Sequence, residues 1–388
     1  MLHKNKDTVM EFWDEDVLEK CFRKANTVTT EDFLYTLSCY LGAHGKLWAT
    51  NSGREALELF LRLAVPSTKK SVLVCSFNCR VVAESIIKAG LTVETFDLSD
   101  QSGSIAWDIV GEKLHSKLGA IVIPHFFGVP TDFRSLLKKA KECNVLIIED
   151  CAHTLGGKIG SLTAGTIGDA AIFSFNYDKP ISLGEGGALL VNNKKLWPLI
   201  SIHAPRVSYS IERKELEGFL KYLKKRRDCI SSPSLILFDR LTSITWRLIG
   251  RSPRKMFDFS GIGPLRSALG IWQIENYDNI VNIRNNNAKY ISQCATCKSW
   301  KVEKEISPAW LKQKIVPCDI TKVRTISQKL ARQGLRVGLF NWPQTVDDYL
   351  GKTGPENSSY IAQYALDIPI HQYMQQDELD MILTLCCS

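Results

Sequence analysis

The sequence predicts an α/β protein: a mostly parallel sheet covered by helices, followed by a smaller C-terminal α+β domain. Three observations predict it. From residue 46 to 193, short β-rich apolar runs alternate with amphipathic stretches of helical length, the pattern of strands joined by crossover helices. The 388 residues exceed the usual span of one domain and suit two units. With 45% hydrophobic and 23% charged residues, the composition is that of an ordinary globular protein, and excludes a disordered, collagen-like or fibrous chain.

Element by element, apolar and β-branched runs predict strands at Val72–Cys75, Thr92–Phe96, Ala120–Pro124, Val145–Glu149, Ala171–Phe175 and Ala188–Val191. Apolar residues at three- and four-residue spacing predict helices over Arg54–Ala64, Val81–Ala89 and Phe133–Cys143. Residues 1–205 then read as an N-terminal segment with the large domain, and 206–260 as a basic helical insertion or interdomain arm. Residues 261–388 read as the small domain, opened by a helical pattern from Pro264 to about Tyr290. No internal repeat and no low-complexity segment is visible.

Charge is concentrated. Lys and Arg number 49 against 41 Asp and Glu, a net charge of +8. Between Arg206 and Lys255 stand 13 basic and 5 acidic residues, so this stretch alone carries the whole surplus. A solvated charged face explains such a run. It also suits attraction of a nucleotide diphosphate, or peripheral contact with an anionic membrane surface carrying a lipid-linked sugar. Aromatic residues do not interleave the KKRR core, which argues against nucleic acid.

Twelve cysteines are spread along a chain that opens MLHKNKDTVMEFWDED, without an apolar signal-peptide core, so a reducing cytoplasm is expected. The one CxxC, Cys294 to Cys297, lacks the second ligand pair of a zinc site, and no metal is expected. No run reaches the about 18–20 apolar residues that span a bilayer.

In open α/β sheets ligands gather at the carboxyl ends of the strands. Asn78, Asp150 and the stretch from Asn176 to Lys179 fall there. A lysine at a strand end is by itself a solvated amine, but Lys179 is followed by LGEGG and preceded, 29 residues earlier, by Asp150 in IIEDCAHTLGG, with His153 three positions on. A carboxylate can pair with a heteroaromatic nitrogen, and a lysine can form a Schiff base with an aldehyde. Pyridoxal phosphate needs both. In NSGREALELFLRLA, Ser52, Gly53 and Arg54 enter an amphipathic helix, whose free N–H groups and dipole suit a phosphate; a simple Ser N-cap explains the same residues. Ser174 could add a hydroxyl to that phosphate.

The ordered segments NSGREAL, CSFNCRVVAE, PHFFGVPTDF, IIEDCAHTLGG, GDAAIFSFNYDKPISLGEGGALLVNN and DIPIHQYMQQDELDMIL resemble the DegT/StrS family of pyridoxal-phosphate sugar aminotransferases, from about Ala25 to the C-terminus, most weakly between 206 and 260. The resemblance implies the fold type I architecture of aspartate aminotransferase. It implies Lys179 as the Schiff-base lysine, Asp150 as partner of the pyridine nitrogen, His153 near the phenolic oxygen and Ala152 against the ring. It further implies phosphate contacts from Gly53, Arg54 and Ser174, and a homodimer. Three departures stand out. Cys79 occupies a position where many relatives stack an aromatic residue. Arg54 replaces a common Thr, adding a cation near the phosphate. FDFSGIGPLRSALG lacks the Asn that relatives lend to the partner subunit's site.

The function implied is amino transfer from glutamate or glutamine to a keto sugar, nucleotide-linked, in amino-sugar, polysaccharide or glycoside biosynthesis. Lys179 disfavours the dehydratase branch, where His replaces it. Two other classes stay open: a cofactor-dependent lyase or epimerase on a related keto or amino compound, and a non-catalytic module that retains the fold. His125 reads as part of a packed turn and Glu185 as part of a glycine-rich turn, although either could touch substrate. Trp342 and His371 receive no role.

Overall fold

The computed structural model describes residues 6–7, 9–203, 216–221, 262–339 and 344–387. Apart from 216–221, the basic arm lies outside the described residues, as does Trp342. Seven strands form the large sheet: β1 (Lys46–Thr50), β2 (Ser71–Cys75), β3 (Thr92–Phe96), β4 (Leu118–Pro124), β5 (Leu146–Asp150), β6 (Ala170–Ser174) and β7 (Gly187–Val191). Their order is β1-β7-β6-β5-β4-β2-β3. Only β7 runs against its neighbours, pairing antiparallel with β1 and β6. The predicted mostly parallel sheet is therefore present.

The six expected strands sit within one or two residues of their predicted bounds. The edge strand β1 was not expected: in KLWAT the apolar run is only three residues, Leu47 to Ala49, Lys46 is exposed and Leu47 and Trp48 are half-exposed. Of the helices, the predicted Phe133–Cys143 is shorter, Leu136–Glu142, because Asp132 bonds the Arg134 N–H and side chain at its start.

Period-two alternation along the strands divides the core. After α1 (Glu15–Lys24) and α2 (Thr30–Leu41) come α3 (Gly53–Ala64) and α4 (Arg80–Lys88); Val72, Val74, Ala120, Val122, Ile148 and Ile172 face one layer, where they meet Leu57 and Phe60 of α3 and Val82 and Ile86 of α4. Leu73, Ile121, Ile123 and Ile147 face the other, against Trp107 and Val110 of a helix at Trp107–Glu112 and Leu136 and Ala140. Further along that face, Ala171, Phe173, Ala188 and Leu190 pack on Phe33 and Leu37 of the helix Thr30–Leu41 and on Leu265 and Leu269 of the long helix Pro264–Cys294. Each fully buried Leu or Phe contributes about 1.5–3 kcal/mol.

A second, antiparallel sheet has β8 (Lys298–Ser299), β9 (Gln313–Val316), β10 (Gly338–Leu339) and β11 (Leu366–Ile368) in the order β8-β9-β11-β10. We propose that it centres the smaller unit expected after residue 261. Its Ile315 and Leu366 share one hydrophobic cluster with Ile121 and Ile123 of the large sheet. The turn after β4 ties the two: Leu311 N–H donates to Phe127 O at 2.8 Å and Ala309 N–H to Gly128 O at 2.9 Å. Gly128 has φ 95°, and a Cβ there would fall on Ala309 O, so this close approach requires glycine. His371 is buried and binds backbone, with Nε2 donating to Asp7 O at 2.9 Å. Among the described residues, no helix is long and apolar enough to cross a membrane.

Glu149, fully buried in β5, accepts four hydrogen bonds. Oε1 takes the Ile167 and Gly168 N–H groups at 2.8 and 2.7 Å; Oε2 takes Gly165 N–H at 2.7 Å and His125 Nε2 at 2.9 Å. Because the Thr131 N–H donates to His125 Nδ1 at 3.0 Å, the imidazole proton sits on Nε2. Cys151 brings a third ligand-type atom within 4.8 Å of this pair, but the carboxylate and imidazole acceptors are already engaged, and the cluster reads as hydrogen-bonded core. Glu149→Gln should be costly, since either amide orientation turns an NH2 against backbone N–H donors. A loss of about 3 kcal/mol is expected in chemical denaturation, and a change under 1 kcal/mol would contradict this network.

Candidate active site

The carboxyl ends of β2, β5 and β6 converge with the start of α3. Asp150 ends β5 half-buried, with Oδ1 accepting the Ala152 N–H at 3.0 Å. Ala152 is thus fixed beside it. Burial pushes the Asp150 carboxyl above the ordinary carboxylate range, opposed by the Ala152 N–H and by the positive charge of Lys179. Lys179 follows β6 on a turn closed by its own N–H to Asn176 O at 3.2 Å; its side chain is 15% exposed, and Nζ lies 3.8 Å from the exposed Asp178. Its field reaches Asp150, Cys79 and His153 together, so these four side chains share one locale.

His153 is half-buried and stacks on Phe127 at 5.7 Å, 27° between planes. Burial, joined by Lys179, Lys312 and Lys314, pushes its pKa well below the ordinary histidine value, so the ring is neutral at pH 7. Cys79 caps α4 through its backbone, its N–H donating to Asn78 Oδ1 at 2.7 Å. Burial raises the thiol's pKa, and the site offers no aromatic face at this position.

At the other end of the site, Ser52 is the N-cap of α3: Oγ accepts the Glu55 N–H at 3.2 Å. The capping reading of Ser52 is therefore what the geometry shows. The first intrahelical bond is Ala56 N–H to Ser52 O, so the Gly53 and Arg54 N–H groups precede it and open the helix end. Ser174 lies against this end: a Cβ on Gly53 would meet the Ser174 Cβ at 3.1 Å. From β7, Gly187 packs so tightly that a Cβ would fall on Gly53 N. Glu185 in the same loop forms an ion pair with Arg266 at 2.8 Å.

The structure thus gathers the predicted Ser52, Gly53, Arg54, Cys79, Asp150, Ala152, His153, Ser174 and Lys179 on one edge of the sheet. They suit pyridoxal phosphate by their own geometry. The half-buried Asp150 carboxyl shares its locale with a lysine, a glycine-packed helix start offers N–H donors, and the buried Asn78 Nδ2 and Arg54 Nε have no hydrogen-bond partner. Asn78 was visible only as a polar residue after a strand. Lys312 and Lys314, which also border the site, carried no local sequence signal, and Phe127 was visible only within the PHFFGVPTDF segment.

A family model described as the DegT/DnrJ/EryC1/StrS aminotransferase family matches residues 16–211, just over half of the chain. The chain belongs to this family. Family relatives include the GDP-perosamine synthase of Escherichia coli O157:H7, 31% identical over 147 residues that make up 38% of this chain and 40% of that protein. The UDP-4-amino-4,6-dideoxy-N-acetyl-beta-L-altrosamine transaminase of Campylobacter jejuni is 31% identical over 173 residues, 43% of this chain and 44% of the relative. The chain therefore aligns with less than half the length of these relatives. Among solved structures, a Streptococcus pneumoniae protein in its PMP form superposes with a TM-score of 0.74 at 16% identity, over 98% of this chain and 97% of that one. An aminotransferase of the family from Brucella abortus gives 0.70 at 18% identity, over 96% and 95%. At these identities the likeness is one of fold.

His153 supplies a test. It is neutral when folded but takes up a proton on unfolding below its ordinary pKa of about 6.5, so the unfolded state binds more protons there. Stability should fall with acidification from pH 7 to 5.5, by at most about 1.4 kcal/mol per pH unit from this residue. His153→Gln should flatten that slope in urea melts taken along the pH series; an unchanged slope would contradict the neutral assignment.

Proposed function

We propose that this chain is a pyridoxal-phosphate-dependent aminotransferase that moves an amino group from glutamate or glutamine to a nucleotide-linked keto sugar. The observation that carries the reading is the juxtaposition of Lys179 with the half-buried Asp150 at neighbouring strand ends, beside a helix start suited to phosphate. Membership of an aminotransferase family and relatives named for amino-sugar transfer support the class of reaction and of substrate.

When bound, pyridoxal phosphate supplies an aldehyde carbon and an electron-accepting ring that carry an amine between carbon skeletons. The chain's residues do the rest. The Gly53 and Arg54 N–H groups, with the Ser174 hydroxyl and the Arg54 cation, would hold the phosphate. Asp150, fixed by the Ala152 N–H, would keep a proton on the ring nitrogen. Its burial makes a lone negative charge unfavourable, so a cation placed opposite it is stabilised. Neutral His153 can donate a hydrogen bond near the phenolic oxygen without adding charge. Lys179, 15% exposed on its turn, can hold the aldehyde carbon and then move a proton at the substrate Cα. A homodimer in the cytoplasm belongs to the same proposal.

An absorbance spectrum of the purified protein tests it. A yellow colour with pyridoxal phosphate that bleaches on adding glutamate or glutamine, and is lost in Lys179→Ala, is expected. A keto sugar should then restore the colour and yield the amino sugar. Turnover of sugar without consumption of donor would instead indicate a lyase, and a protein that stays colourless would contradict the reading.

A further inference from the structure

Two lysines face the same locale from the second sheet. Lys312 stands immediately before β9 and Lys314 lies within it, directly across from Asp367 on β11. Asp367 is fully buried and pairs with both: Oδ2 with Lys312 Nζ at 2.7 Å, Oδ1 with Lys314 Nζ at 2.9 Å. The lysine side chains are 5% and 6% exposed. Among the described residues, Asp367 is the acid paired with either of them.

With both lysines as ammonium groups, two buried cations share one anion, a surplus of one positive charge where charge is expensive to keep out of water; burial accordingly lowers the Lys314 pKa, and Asp367 opposes that shift. The aromatic faces around it temper the surplus without cancelling it: both ammonium groups lie 5.2 Å from the Phe127 centroid, and Lys314 lies 5.5 Å from that of Phe77. Phe127 in turn stacks on His153. The surplus is therefore one ring away from the candidate cofactor site.

We propose that Lys312, Lys314 and Asp367 form a carboxylate-recognition site that takes a carboxylate borne by one of the two reactants. This rests on the amino-transfer reading for the identity of those reactants. A monoanion matches a surplus of one charge, whereas a diphosphate would bring more negative charge than the cluster balances. The carboxylate belongs either to the amino donor or to an acidic sugar. The reach of both lysines to His153 fits a ligand lying along the Phe127 side of the site.

The test uses full-length protein and two unreactive monoanionic probes, glutaramate for the donor and glucuronate for an acidic sugar, titrated calorimetrically with neutral glutaramide and glucose as controls. One of the two carboxylates should bind while its neutral control does not, and which one binds assigns the source. Lys314→Met should weaken that binding about 10- to 100-fold, the factor for loss of one charge-assisted hydrogen bond, and Lys312→Met should do the same. Each variant leaves a neutral lysine–aspartate pair, so its melting temperature should be unchanged or higher. A purely structural role gives the opposite pattern: a lower melting temperature with unaltered binding. That pattern, or failure of both carboxylates to bind the wild type, overturns the proposal. The outcomes separate cleanly from those for amino transfer. A yellow, donor-bleached protein that binds neither probe refutes this site alone; a colourless protein that loses glutaramate binding on Lys314→Met keeps the site and refutes the transfer reaction.

Discussion

The site depends on a carboxylate that never meets water. Glu149 lies in the middle layer of the fold, and its two oxygens collect four donors: three N–H groups of the loop before β6 and the His125 imidazole after β4. A buried charge left unpaired would be untenable, so the loop and the turn must both close on it. That constraint sets the neighbouring Asp150. Its backbone carbonyl accepts the His125 N–H at 3.2 Å, and its side chain emerges at the end of β5, beside the residues that follow β6.

Electrostatic environment then differentiates the groups gathered there. Burial raises Asp150 and lowers His153, and both shifts work against charge in an apolar setting. The former leaves a carboxyl that gains from a cationic partner. The latter leaves a neutral ring. At the opposite end, close packing of Gly187 on Gly53 removes side chains from the helix start and bares its N–H groups. A sheet with parallel neighbours at β5 and β6 is the frame that brings these environments to one edge, as the general rule for open α/β sheets requires.

Much of this was legible in the sequence. Apolar runs marked six of the seven large-sheet strands because both sheet faces are covered and such strands carry few polar residues. Lys179, Asp150, His153 and Ser174 were legible because each follows or ends such a run. The edge strand β1 was not, since its exposed start breaks the apolar pattern. Nor were Lys312 and Lys314, and Asp367 stood only as the first residue of DIPIHQYMQQDELDMIL with no role, because their meaning depends on a cross-strand pairing 53 residues apart between Lys314 and Asp367. The hydroxyl of Ser52 was legible in two ways, and its geometry shows the cap.

The central claim is that the edge formed by Asp150 and Lys179 is a pyridoxal-phosphate site with Lys179 as the attachment point. Incubating the protein with pyridoxal phosphate, reducing with borohydride, digesting, and mapping the modified peptide by mass spectrometry tests it most directly. The account predicts a single dominant phosphopyridoxyl adduct on Lys179, sharply reduced in Asp150→Ala. Adducts scattered over surface lysines, or none at Lys179, would contradict it.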